Sequence, residues 1–468
     1  MENPKRAQSG KLQIQPRGDT YVEPRCVSQG LERVREAARR DASLVFTNLL
    51  HHVTETLLEE AYYALNPKAR PGVDQVTWVE YGEGLKFRLK DLHERVHRGS
   101  YRAQPSLRTY IPKADGRMRP IGIASLEDKI VQQAVVWVLQ AIYEEDFLGF
   151  SYGFRPGRSQ HNALDAVWVA IMHRKVNWVL DADVRGFFDS VSHEWMEKFV
   201  SHRVGDQRIL RLIHKWLKAG VSEDGQWSST VVGIPQGASA SPFLANVYLH
   251  YVLDLWVEAW RKHHARGEVY IVRYADDFVM GFQYREDAEA LQHAMEQRMR
   301  KFGLELNTEK TRLIEFGGVA MDNRATRGEG KPETFDFLGF THFCARRRKD
   351  GRFVVRRKTI AKRLRMKVKQ VSKELKRRRH DRVADQGRWL GSVVRGYFNY
   401  HAVPGNIVAL GQFRTLVSRA WLRSLRSRSH KARGLTWNRM RKFETTWLPR
   451  ARILHPYPNQ RLCVSYSR

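Results

Sequence analysis

Two short segments constrain this chain more than any others. In each, acidic side chains close or interrupt an otherwise apolar run. Val176 to Val184 ends in Leu180-Asp181-Ala182-Asp183-Val184, and Val269 to Phe282 is broken at Tyr274-Ala275-Asp276-Asp277. Both runs have the length and β-branched content of buried strands. A carboxylate at the end of such a strand is costly unless a cation compensates it. A hard divalent ion, which takes oxygen ligands, suits that role. Two such strands side by side could gather three carboxylates around two Mg²⁺ ions, an arrangement able to activate a 3′-hydroxyl and hold a triphosphate. Other readings stand beside this one. Asp-Asp suits a hairpin turn in its own right, and Asp181 or Asp189 suits a cap or a salt bridge. Period-two alternation puts Asp181 and Asp183 on one strand face, so spacing does not choose between them.

The surrounding chain mixes helix and strand. Apolar spacing predicts helices over 31–64, 80–97, 126–143, 192–200 (capped by Ser192), 209–217, 242–260 and 284–302. Strands are expected over 108–124, as a pair around Ala114-Asp115-Gly116, and over 335–355. No fixed-period repeat is visible. This order describes an α+β core rather than an alternating βαβ sheet. The longest apolar runs fall far short of the roughly 20 residues a membrane crossing needs, and the polar N-terminus lacks the apolar core of an export signal. Three widely spaced cysteines, Cys26, Cys344 and Cys463, make neither a disulfide framework nor a paired zinc motif. A reducing, cytoplasmic setting with access to the nucleoid is expected.

Charge is distributed unevenly. Of 81 Lys and Arg, 36 lie in residues 331–468 with only 7 of the 50 Asp and Glu, so nearly all of the net +31 belongs to the last third. Aromatics are interleaved there (Trp389, Tyr397, Tyr400, Trp421, Trp437), a combination suited to phosphate contact and base stacking on RNA or single strands. The clearest amphipathic helix is expected over 359–379. One stripe carries Ile360, Leu364, Val368, Val371 and Leu375. Much of the remainder carries Lys362, Arg363, Lys367, Lys369, Lys373, Arg377 and Arg378, the candidate RNA-binding residues.

Taken in order, the motifs resemble those of the group II intron-encoded reverse transcriptase/maturase family. Asn66-Pro67-Lys68-Ala69-Arg70-Pro71-Gly72-Val73-Asp74 is similar to its early loop, and Tyr110-Ile111-Pro112-Lys113 with Arg119-Pro120-Ile121-Gly122-Ile123 to its fingers strands. Tyr152-Gly153-Phe154-Arg155-Pro156-Gly157-Arg158-Ser159 resembles the next block, Gly233-Ile234-Pro235-Gln236-Gly237 the nucleotide-pocket loop, and Tyr274-Ala275-Asp276-Asp277 the catalytic hairpin. Leu304 to Thr311 and Phe335-Asp336-Phe337-Leu338-Gly339-Phe340 are similar to the closing palm motifs, and Gly396-Tyr397-Phe398-Asn399-Tyr400 falls in the maturase region.

The resemblance implies a right-hand polymerase with a basic helical C-terminal maturase region. Its parts would be a flexible segment (1–30), an N-terminal extension and fingers (31–175), palm (176–350), thumb/maturase domain (351–425) and basic extension (426–468). It implies catalytic Asp183, Asp276 and Asp277, holding two Mg²⁺ ions with help from the Val184 carbonyl, and dNTP substrates. Lys113 and Arg119 would hold the triphosphate, Gln236 would line the pocket, and Lys310 would assist proton transfer to pyrophosphate. Phe188 would exclude a 2′-hydroxyl and favour deoxynucleotides. The implied partners are a group II intron RNA and an RNA template with a DNA primer or DNA target. Because the sequence stops at Arg468, an HNH endonuclease and target-strand cleavage are not expected.

Overall fold

The computed structural model describes residues 28–112 and 118–461. Contacts divide the chain at Arg363/Leu364: Leu364–Pro456 forms one compact unit, and the described residues up to Arg363, with those from Tyr457 onward, form the other.

The larger unit is a mixed α+β structure. Its strands are β1 (Ser106–Pro112), β2 (Met118–Ile123), β3 (Trp178–Asp183), β4 (Val221–Glu223), β5 (Gln226–Ser228), β6 (Val269–Tyr274), β7 (Asp277–Phe282), β8 (Arg312–Glu315), β9 (Phe335–Phe337), β10 (Phe340–Arg346) and β11 (Phe353–Thr359). They form three sheets, ordered β2-β1-β4-β5, β6-β7-β3-β8 and β11-β10-β9. In the second, every neighbouring pair is antiparallel. β7 and β3 occupy its centre, and their apolar residues Val179, Leu180, Phe278 and Met280 are buried. The acids therefore fall at one end of two core strands.

The helix Leu126–Asp146 runs through this unit's core and is buried along most of its length. Ser125 caps it by accepting the Asp128 N–H at 3.3 Å, while Glu127 and Asp128 complement the positive end of its dipole. The strand pair and helices expected from the sequence are present, with three informative differences. The run 31–64 is two helices, Gln29–Arg40 and Glu55–Ala64. Asp41 ends the first in extended backbone, and the Thr54 hydroxyl caps the second. The run 80–97 is likewise split, because Gly84 adopts a left-handed conformation. The run 242–260 contains a π-helical turn, His250–Asp254, between two α-helical segments. An extra residue in that turn rotates the succeeding side chains about the helix axis, and Asp254 ends wholly buried.

In the smaller unit, the helix Ala361–Arg377 contributes Leu364, Val371 and Leu375 to a core shared with helices Val383–His401 and Ile407–Arg426. Tyr397 stacks on Phe413 with ring centres 3.6 Å apart. The buried Trp421 indole donates to Gln386 at 2.9 Å. Gly387 lets the Trp447 indole approach so closely that a Cβ there would lie 2.5 Å from it.

Candidate active site

The register of the central sheet decides which strand acid faces the hairpin. Asp183 is the cross-strand partner of Asp277, whereas Asp181 lies opposite Val279 on β7 and Arg312 on β8. Directly opposed residues have Cβ atoms about 5 Å apart. Ala275 and Asp276 form the two-residue turn joining β6 to β7, and Ala275 has a φ of 56°. The sheet thus brings the three acids to one edge from positions nearly a hundred residues apart.

These acids disturb one another. Asp277 is exposed at the start of β7. The protein packed around it, and then the charges of Asp276 and Asp183, nonetheless push its pKa up to about 7. Burial and then Asp183 raise Asp276, while Arg119 and Arg273 pull it back. Asp181 is raised to about 6 by burial, opposed by Arg312 and reinforced by Asp336 and Asp183. Repelling carboxylates in a confined space are what a divalent cation neutralises. Asp183 has already recruited a cation: Lys310 Nζ lies 2.5 Å from its Oδ2. Among the described residues the acids are not drawn into a closed cage of three or more ligands, and Asp183 is turned toward the lysine. The residues fit a Mg²⁺ site in identity, register and electrostatic need.

A cleft of about 370 Å³ opens beside them, lined by Asp183, Asp277, Lys310, Arg312, Asp336 and Arg363 among others. Arg363, expected to contact RNA, is close enough to Asp277 to counter its raised pKa. Val184, whose carbonyl is the expected fourth ligand, is buried and bridges to Leu306. Phe188 lies half-buried on the short helical turn Phe187–Ser190, edge-on to Phe187 at 5.3 Å. Its carbonyl accepts the Ile234 N–H at 2.8 Å, and the Gln236 carbonyl accepts the Gly122 N–H at 2.7 Å. The 233–237 loop therefore links the Phe188 turn to β2, which carries the exposed Arg119. Lys113 lies outside the described residues.

On the basic helix, Lys362, Arg363, Lys367, Lys369, Lys373 and Arg377 are exposed. Arg378 is only half-exposed: it bonds Glu374 at 2.8 Å and lies over the Trp389 ring. Arg377 also pairs with Glu374, at 3.2 Å.

Sequence reasoning missed the support behind the hairpin. Arg273, on β6, is completely buried with Asp254 as its ion-pair partner. The same guanidinium donates to the Ala275 carbonyl and to Asn246 Oδ1, each at 3.0 Å. Asn246 in turn donates to the Gly153 carbonyl at 2.7 Å. The Gly153 backbone presses against the turn, and a Cβ there would lie 2.4 Å from the Ala275 nitrogen. The available signal was a lone arginine in an apolar strand, which must find a buried acid.

Residues 111–342 match the reverse transcriptase (RNA-dependent DNA polymerase) family. The chain is 34% identical over 245 residues to the group II intron-encoded protein LtrA of Lactococcus lactis, covering 50% of this chain and 40% of LtrA. It is 32% identical over 342 residues to protein YkfC of Escherichia coli, covering 64% of this chain and 88% of YkfC. The chain belongs to the group II intron-encoded reverse transcriptase/maturase family. A putative COX1/OXI3 intron 1 protein of Saccharomyces cerevisiae is also similar, at 27% identity over 52% of this chain and 35% of that protein. The chain thus spans well under two thirds of the length of LtrA and of the COX1/OXI3 intron 1 protein. No helix among the described residues is long and apolar enough to cross a membrane.

Proposed function

We propose that this protein is an RNA-directed DNA polymerase that also binds its own group II intron RNA, promoting splicing and retromobility by target-primed reverse transcription. One observation carries the reading: Asp183 pairs in register with Asp277 across adjacent core strands, with Asp276 in the turn between β6 and β7. In this reading the β6-β7-β3-β8 sheet is the palm, the β1–β2 hairpin belongs to the fingers, and Leu364–Pro456 is the thumb/maturase region.

Asp183, Asp276 and Asp277, with the Val184 carbonyl, would hold two Mg²⁺ ions. Bound there, the ions supply activation of the primer 3′-hydroxyl and neutralise charge on the departing pyrophosphate. The chain's own groups do the rest. Arg119 on β2, together with Lys113, holds the triphosphate. Phe188 and Gln236 shape the sugar and base pocket from two hydrogen-bonded loops. Lys310, at the cleft wall, donates its proton toward the pyrophosphate. The cations of the 361–377 helix neutralise RNA phosphates, while the RNA performs its own splicing chemistry.

Substituting Asp276→Asn tests both roles. DNA synthesis on an RNA template with a DNA primer is expected to vanish, while intron-RNA binding and protein-assisted splicing persist. Loss of both activities in a folded variant refutes the two-role reading, and undiminished extension refutes the site.

A further inference from the structure

The bond between Lys310 and Asp183 is built rather than incidental. Asp183 Oδ2 accepts from two donors, Lys310 Nζ at 2.5 Å and Asn307 Nδ2 at 3.3 Å. The loop carrying both donors is tied to the same strand end, since the Asn307 N–H donates to the Asp183 carbonyl at 2.8 Å. Lys310 and Thr311 N–H groups then donate to the Asn307 carbonyl at 3.0 and 2.8 Å. Val184 and Leu306 bridge one residue further on. The ammonium is therefore delivered to one carboxylate oxygen by a backbone-locked loop. Its side chain is nonetheless 55% exposed, against 26% for Asp183. A pair this open to water can dissociate without leaving a buried charge behind.

We propose that Lys310 is a resident counter-cation of Asp183, one that steadies the strand end in the metal-free protein and that a divalent ion must displace in order to bind. The inference rests on the reading of Asp183 as a metal ligand. The physical conflict is direct. A dication at bonding distance from Oδ2 would meet strong repulsion from the ammonium already 2.5 Å from that oxygen, and one bound through the other oxygen of the same carboxylate would still lie within a few ångströms of it. The intrinsic affinity of the acids for metal is then reduced by the free energy of the lysine contact, and binding turns the ammonium into the cleft.

The test uses the full chain, stripped of metal and free of nucleotide and nucleic acid, titrated with Mn²⁺ alone and read by electron paramagnetic resonance of the free ion. Lys310→Met is expected to tighten Mn²⁺ binding roughly fivefold to tenfold, the range of a partly exposed charge-assisted contact. Lys310→Gln, which keeps a neutral donor, is expected to tighten it less. In chelator, Lys310→Met is expected to melt below the wild type, and Mn²⁺ to raise its melting temperature more. In an Asp183→Asn background Lys310→Met is expected to leave the remaining Mn²⁺ affinity unchanged, and Arg363→Gln, which removes a cation near Asp277 rather than one bonded to Asp183, to have a smaller effect. Unchanged or weaker Mn²⁺ binding in both lysine variants overturns the proposal, as does equal tightening by Arg363→Gln. Mn²⁺ binding that survives Asp183→Asn at full strength overturns instead the reading of Asp183 as a ligand.

Discussion

Gly153→Ala is the sharpest probe of how the hairpin is held, because it touches no proposed ligand. The added methyl carbon would lie 2.4 Å from the Ala275 nitrogen and 3.0 Å from the Tyr274 carbonyl carbon. Ordinary contact begins near 3.4 Å, so one backbone must retreat by about 1 Å. The Gly153 side cannot easily yield, since its carbonyl is held by Asn246 and the Tyr152 N–H donates to the Arg273 carbonyl at 2.8 Å. The turn bearing Asp276 is left to move. Overpacking of this kind costs about 1–3 kcal/mol of stability, whereas a 1 Å error in positioned groups costs on the order of 100-fold in rate. The assay is single-nucleotide primer extension on an RNA template at saturating dNTP, beside thermal melting of the same preparations. The expected result is a rate loss of about two decades with a modest fall in melting temperature. Gly149→Ala, where a Cβ meets nothing within 4 Å, serves as control. Wild-type extension by Gly153→Ala would refute the claim that this glycine sets the turn.

Three further outcomes rest on the same geometry. Arg273→Leu leaves Asp254 buried without its partner and is expected to destabilise the protein by about 3–5 kcal/mol; Arg273→Leu with Asp254→Leu should recover much of that in chemical denaturation without restoring extension, because the Ala275 carbonyl still lacks its donor. Phe188→Val is expected to raise ribonucleotide incorporation relative to deoxynucleotide by roughly 10- to 100-fold in competition assays, the worth of a removed steric contact, and an unchanged ratio would dismiss it as the sugar discriminator. Lys367, Lys373 and Arg377 replaced together by Ala should weaken RNA binding and reduce the slope of log affinity against log salt by about two, and an unchanged slope would remove this helix from the interface.

How much could be read from the sequence depends on the range of the interactions concerned. β3 and β7 are legible because apolar, β-branched runs are local signals, and the acids stand out against them. The Ser192 cap is legible for the same reason: its hydroxyl serves an N–H three residues away, at 3.3 Å. Spacing alone did not choose between Asp181 and Asp183, since period two treats them alike; the resemblance implied Asp183, and the register sets that residue opposite Asp277. The break in the 31–64 run was hidden because it depends on distant partners. Asp206 accepts the Leu49 and Leu50 N–H groups at 2.8 and 3.0 Å, holding the start of the short 3-10 turn Leu50–His52 from 157 and 156 residues away. The helix Gln160–His173 went unassigned although Ser159 and Asn162 form a capping box at its start, a signal that was there to use. The Lys310 contact with Asp183 joins positions 127 apart, and no local pattern announces such a pair. The Arg273–Asp254 pair depends on a π-helical turn that apolar periodicity does not reveal.

The central claim is that Asp183, Asp276 and Asp277 together hold the catalytic ions. Anomalous diffraction from crystals of the protein with an RNA template, a DNA primer, a non-reactive dNTP analogue and Mn²⁺ tests it most directly. Two Mn²⁺ peaks bounded by these three carboxylates, with Lys310 withdrawn from Asp183, are the predicted result. Ions gathered instead around Asp181 and Asp336, or no bound ion near the β6–β7 turn, would contradict it.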